Sequence, residues 1–449
     1  MGGTRMFARV HWQFCLAFVT VTLALLVCPR VVLAQATVDY ENLASYEGAP
    51  VVHVMQPLNA ADQPPVPPDA IDRTQPPRGS SESPRRSTAS LSSARTRQRA
   101  RQRLVRAPYL FGDTLAATTI NIQNDQVVLS VPTSNGAGGS GLIQFKIADH
   151  NKALPDDRAY LLYNHFHNAV DVERSSTFGP PMRMARSLSI NRYAFGIEKT
   201  FAGGLASFEA RMPFAGSLDF ATAPTFGGAS DFFVDTDSIG NLAGILKVLL
   251  YSDGRRAICS GLGVNTPTGG DVFVRITEAT TLTNIRFYND AVHLLPFIGF
   301  VSAPDDDVFF HGFAQLDIPT HGNRVSIVDQ GLTPFTGSFK LNSQAIFHLD
   351  AAMGQWHYRN SRGPVTGVAS ILELHYATAL QSVDVINVPG GGATLSGRGN
   401  RFDAINLGMG LDVELNRRTN IRFGTVLPLR NDLDRFFDIE FLVQISRKH

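Results

Sequence analysis

From Ile405 to Leu415 every odd position is apolar: Ile405, Leu407, Met409, Leu411, Val413 and Leu415. The even positions carry Asn406, Gly408, Gly410, Asp412 and Glu414. Asn416-Arg417-Arg418-Thr419-Asn420 breaks the run, and alternation resumes at Ile421, Phe423, Thr425 and Leu427. A period of two with a polar break predicts two strands and a tight turn, one face apolar and the other polar. From Arg158 onward this pattern repeats and predicts about twelve strands: 158–168, 189–201, 205–214, 240–251, 256–266, 290–300, 307–318, 344–359, 365–381, 401–415, 421–429 and 435–447. Most are 11 residues or longer. Soluble strands average about five or six, whereas a tilted strand crossing a bilayer needs about 9–11.

The connections carry a second pattern. Ala202-Gly203-Gly204, Ser252 to Arg255, Ala303 to Asp306, Asn360 to Pro364 and Asn416 to Asn420 are short. Between them lie the longer 169–188, 215–239, 267–289, 319–343 and 382–400; only the last, 430–434, is short out of turn. Short turns on one side and long loops on the other belong to outer-membrane barrels. Together these patterns predict an all-β, antiparallel transmembrane β-barrel over 158–449.

In such a barrel the polar faces turn inward. Arg192, Glu198, Glu209, Arg211, His348, Asp350, Glu373, His375, Asp412, Glu414 and Arg422 are therefore the expected lumen-lining residues, joined by Lys247, Asp438 and Glu440. Leu407, Met409, Leu411 and Val413 would face lipid, with Phe437, Ile439, Phe441, Val443 and Ile445 opposite Asp438, Glu440, Gln444 and Ser446 on the last strand. Strand 344–359 should slip phase near Gly354, as a bulge allows, bringing Trp356 and Tyr358 into line. Tyr251, Trp356, Tyr358, Phe402 and Phe436 suit interfacial girdles. Alternation alone also fits a soluble sandwich whose polar faces meet bulk water.

Upstream the pattern changes. Arg5 and Arg9, the uncharged run Cys15–Cys28 and the small residues around Ala34-Gln35-Ala36 read as a signal peptide over 1–36. Cleavage would leave Cys259 as the single cysteine, so no intrachain disulfide is expected. Residues 37–106 read as a disordered Pro-, Ser- and Arg-rich linker. From Ile71 to Arg106 there are ten arginines and two acids, a tract suited to cell-wall polymer or lipid headgroups as a partner. Residues 107–157 mix short apolar runs with the glycine cluster 136–141 and predict a small β segment or plug. The whole chain, 449 residues at net charge +1, is no nucleic-acid binder by electrostatics.

No catalytic constellation stands out, so no enzyme activity, cofactor or metal is expected. His165 and His167 share a strand face but lack a third ligand. Asp231, Asp235 and Asp237, and the run Asp305-Asp306-Asp307, read as solvated acids.

GLGVNTPTGG (261–270), LLPFIGFVSAPDDDVFFHGFAQLDIPTHGN (294–323) and the long strand ending near Tyr358 resemble the outer-membrane barrels of the phenol-degradation meta-pathway family, related to FadL-type channels. Segments 145–166 and 195–214 are similar to exported planctomycete proteins. The resemblance spans roughly 145–449. It implies a barrel and passage of small apolar compounds, and brings no site residues with it. The sequence thus points to an exported barrel in the outer membrane, its lipid the main partner. Its role would be a passive channel or a structural envelope protein. The alternatives are a soluble secreted β-sandwich that binds a ligand or surface, and an outer-membrane hydrolase with Ser, His and acid at a rim. The sequence does not set the oligomeric state.

Overall fold

The computed structural model describes residues 104–113, 119–123, 128–132, 145–174, 184–215, 220–221, 231–236, 239–277, 282–330, 334–360, 362–382, 384–387, 394–397, 401–430 and 434–449. The signal peptide and all but three residues of the expected linker lie outside them.

Twelve strands form the barrel: β1 (Arg158–Arg174), β2 (Met184–Phe201), β3 (Ala206–Ala215), β4 (Ala243–Ser252), β5 (Arg256–Asn265), β6 (His293–Ser302), β7 (Val308–Pro319), β8 (Ile346–Arg359), β9 (Val365–Ala379), β10 (Asp403–Leu415), β11 (Thr419–Pro428) and β12 (Ile439–Lys448). Each pairs antiparallel with its sequence neighbours. The ring closes between β12 and β1, in register from Ile439↔His167 to Lys448↔Arg158. Among the described residues the wall is thus one closed ring and not a pair of stacked sheets, which removes the sandwich alternative.

The residues explain the pattern. Burial alternates strictly along the wall: Tyr193, Phe195 and Ile197 are exposed, while Arg192, Ala194 and Glu198 are buried. Leu411 is 49% exposed and Arg422, beside its neighbour Asp412, 0%. The tight connections stay tight because their residues accept left-handed backbone. Asn416 and Arg417 have φ of 51° and 58° between β10 and β11, and Gly203 and Gly204 have 67° and 84° between β2 and β3. Positive φ at both central positions matches the right-handed twist of the flanking strands.

The opposite end is elaborated. The connections β3–β4, β5–β6 and β7–β8 contribute a six-stranded sheet ordered 335–341, 323–329, 282–287, 272–277, 231–236, 220–221. The expected loop 169–188 is mostly strand: β1 and β2 stay paired from Val170↔Leu188 to Arg174↔Met184, beyond a bulge that carries Asn168 at φ 53°. On this extension sits the hairpin of Thr119–Gln123 and Val128–Pro132, through Val128↔Glu173 and Leu129↔Val172.

Three further expectations are corrected. β8 keeps phase through Gly354; its register shifts between Trp356 and Tyr358. Trp356 therefore points inward at 5% exposure, while Tyr358 points out. Phe402 and Phe436 also turn inward, onto each other, at 5.1 Å between ring centres. Of the proposed girdle only Tyr251 and Tyr358 are exposed. Before β12 the phase likewise reverses: Phe437 packs inside against Phe166, and Asp438 lies outside with Arg435 and Asn168.

Candidate functional site: the barrel interior

The interior is filled rather than open. Residues 104–113 run up through it, and 145–157 run back down into β1. At the turn end, Lys448 Nζ donates to the Val105 carbonyl at 3.1 Å and Arg106 pairs with Glu414 at 2.5 Å. Further up β10, Asn406 Nδ2 donates to Asp113 Oδ2 at 2.6 Å. Neither segment pairs with the wall as a strand. Its peptide groups are met instead by wall side chains, as buried peptide groups must be met by some partner. Glu373 accepts the amides of Phe111 (2.6 Å) and Gly112 (2.9 Å). Arg422 donates to the carbonyls of Leu110 (2.9 Å) and Tyr109, and Gln444 to that of Phe111 (2.8 Å). On the returning segment, Arg211 donates to the carbonyls of Lys146 and Asp149, Arg158 to that of His150, and Lys247 to that of Lys152.

All eleven expected lining residues are buried in this interior. The structure groups most of them into three clusters. In one, Glu198 meets Arg158 at 2.7 Å and Lys247 at 3.0 Å, and Glu209 meets Arg211 at 2.6 Å, Arg158 at 3.2 Å and the Tyr160 hydroxyl. In the second, Lys146 pairs with Asp113 and, at 2.7 Å, with Asp350. His375 bridges Asp350 at 2.7 Å and Glu373 at 3.2 Å. In the third, Arg422 and Asp412 pair at 3.0 Å, and Asn420 donates to Asp412. Glu414 joins the lumen segment through Arg106, and Arg192 faces Asp149 at 3.6 Å. His348 is buried in the wall without belonging to these pairs. An apolar cluster including Phe111, Phe145, Ile147, Phe297, Phe313 and Trp356 fills space between the ionic groups.

The sequence reading missed other buried polar residues, some of them partners within the first two clusters: Asp113, Lys146, Asp149, His150 and Lys152 in the lumen segments, and Arg158, His293, His311 and Asp317 on the wall. The inward face of β7 is Phe309, His311, Phe313, Gln315, Asp317. Such a mixture reads as neither polar nor apolar. The lumen segments have no period at all. A buried Lys-Asp-Lys count between two apolar stretches was the available signal.

Asp113, Asp350 and His375 bring one ligand atom each within 4.8 Å of one another, as a metal site would. The Lys146 ammonium, bonded to both aspartates, already supplies the compensating charge there. His165 and His167 lie on the outward face, bound to Asn191 (2.8 Å) and Ser189 (3.3 Å). Two Ser–His contacts bear on the hydrolase alternative, Ser189–His167 at 3.3 Å and Ser370–His357 at 2.7 Å; at the first, the neighbouring acid, Asp438, is engaged by Arg435 and Asn168. Asp305 caps its own turn by accepting the amides of Asp307 and Val308. Strand Asp231–Thr236 places Asp231 and Asp235 in the rim sheet, and Asp237 lies outside the described residues. On that sheet the Arg324 guanidinium, hydrogen-bonded to Asp290, holds its carboxyl below the usual range, and Asp271 raises Arg286 in the same way.

No family model matches the chain, and no curated protein matches it. Among solved structures, the toluene transporter TodX of P. putida aligns at 12% identity over 75% of this chain and 88% of its own, with a TM-score of 0.38. The translocator domain of the autotransporter NalP from Neisseria meningitidis aligns at 7% over 80% and 96% (TM-score 0.36), and the NanC porin at 8% over 65% and 100% (0.36). Scores this low lend no weight to a shared activity.

Proposed function

We propose that this chain is an outer-membrane channel for small molecules, its short turns in the periplasm and its rim sheet outside. Residues 104–113 and 145–157 act as a resident plug. The reading rests on one observation above all: a closed barrel whose twelve strands all carry exposed large apolar side chains encloses an interior of charged side chains that hold an irregular segment. Wall strands built only for rigidity would need no such segment. The cargo would be small compounds, hydrophobic ones included, as the resemblance to the meta-pathway barrels implies. A partnership of the arginine-rich linker with cell-wall polymer would keep the turn end near the periplasmic face.

Planar-bilayer recording tests the channel. The wild type is expected to insert with little conductance. Glu373→Ala frees the amides of Phe111 and Gly112 and is expected to give stepwise openings. Inserted barrels that stay silent in both forms would leave the structural envelope protein as the better reading.

A further inference from the structure

The stretch Leu104–Asp113 is held the way a bound peptide is held. Its main chain is read at consecutive positions by side chains of strands far away in sequence: Tyr109 and Leu110 by Arg422, Phe111 by Gln444 and Glu373, Gly112 by Glu373. Its side chains are read as well. Arg106 meets Glu414 and lies 5.6 Å over the Trp356 ring. The Tyr109 hydroxyl donates to Asp156 at 2.6 Å, and its ring takes the Arg158 guanidinium at 4.2 Å. Asp113 accepts from Lys146 and Asn406. Gly112 has φ 78°, and a Cβ there would lie 2.6 Å from the Asp149 Cα, so only glycine fits. At the turn end a cavity of about 630 Å³ opens beside Leu104 and Val105, lined also by Lys152, Leu154, Asp156 and Leu249.

From this geometry we infer that the barrel interior is a peptide-binding site. Its ligand class is an extended peptide of the form Arg-x-x-Tyr-x-Phe-Gly-Asp, and residues 104–113 are its resident, exchangeable ligand. A peptide of that sequence, supplied in trans from the turn end, takes the same place when the resident copy is weakened. Recognition is split: the main-chain contacts tolerate many sequences, while Arg106, Gly112 and Asp113 fix the register.

The test uses the full chain in detergent micelles and a fluorescein-labelled peptide of residues 104–113, read by anisotropy. The Gly112→Ala chain, whose own segment is weakened, should bind the labelled peptide saturably, and the wild-type chain at least about tenfold less. Unlabelled wild-type peptide should compete; the Gly112→Ala peptide should compete at least about tenfold less well. Folding of each chain is checked by its mobility shift on boiling. Arg106→Ala, at the half-buried end of the segment, serves as a second weakened chain. Equal binding to wild type and variants would mean surface adhesion and overturn the proposal. So would no binding to folded variants. If neither variant folds, the segment is an indivisible part of the core, and the proposal falls too. Anisotropy needs no ion flow, so this result stands apart from the conductance of Glu373→Ala.

Discussion

Lys146 has no exposed side chain and sits between Asp113 and Asp350. A buried charge pair adds little over an apolar replacement of both partners, but removing one partner strands the other. Lys146→Met leaves two buried carboxylates with only His375 and Asn406 to compensate them. It should therefore destabilise by about 3–5 kcal/mol, read as a lower urea midpoint of barrel unfolding. Lys199→Met is the control: Lys199 is 72% exposed, and its 3.3 Å contact with Asp157 lies in solvent. Such exposed pairs contribute little, so its midpoint should stay near that of wild type. Equal shifts in the two would mean that the second cluster does not hold the interior together. Sequence parity sufficed to place Asp350 and His375 inward, because a strand fixes which neighbours share a face. It could not place Lys146 or Asp113, whose segments have no period and whose partners are brought to them only by closure of the ring.

At the scale of elements the turn between β10 and β11 carries a testable strain. Asn416 tolerates left-handed backbone, since its short polar side chain bonds locally, but Arg417 at φ 58° does not benefit in that way. Arg417 is exposed and, at the tip of the hairpin, free to change. Arg417→Gly creates the Asn-Gly pair that two left-handed positions favour, and should stabilise by about 1 kcal/mol. The urea midpoint is again the measurement; an unchanged or lowered midpoint would show that the guanidinium contributes more than its backbone costs. All twelve strands were legible in the chain within a few residues, since alternation and turn residues are local signals. Not legible were the β1–β2 extension and the rim sheet; rim strands such as Val272–Thr277 and Asn323–Asp329 do alternate, with Val272, Val274, Ile276, Val325 and Ile327 buried, but at six and seven residues they fall short of a membrane span and read as loop. The slip of β8 was placed three residues early. Gly354 looked like the break, but it faces Phe309 across the wall and simply leaves room for that ring.

For the molecule as a whole, the question left open by alternation was whether the outward face meets water or lipid. Exposed large apolar side chains occur on all twelve strands, among them Phe195, Phe208, Leu246, Ile298, Met353, Leu374, Leu411, Phe423 and Phe441. Soluble monomers rarely carry contiguous apolar patches beyond a few hundred Å², and a belt around a closed barrel has no second layer to cover it. The charges that would make the protein soluble are instead turned inward and paired. Leu411→Arg separates the two cases. It adds a charge to the middle of the belt, opposite Phe423 in register, where a lipid-facing arginine costs about 2–4 kcal/mol near the midplane. In lipid the variant should accumulate outside the membrane fraction and lose the mobility difference between boiled and unboiled samples. In water the same substitution would raise solubility and change nothing else. The inward neighbour Asp412 sharpens the comparison. Asp412→Asn keeps the shape but removes the charge facing Arg422, and should leave membrane insertion intact while lowering stability. A chain that extracts without detergent, and that tolerates Leu411→Arg as well as it tolerates Asp412→Asn, would place its belt in water and end the membrane reading.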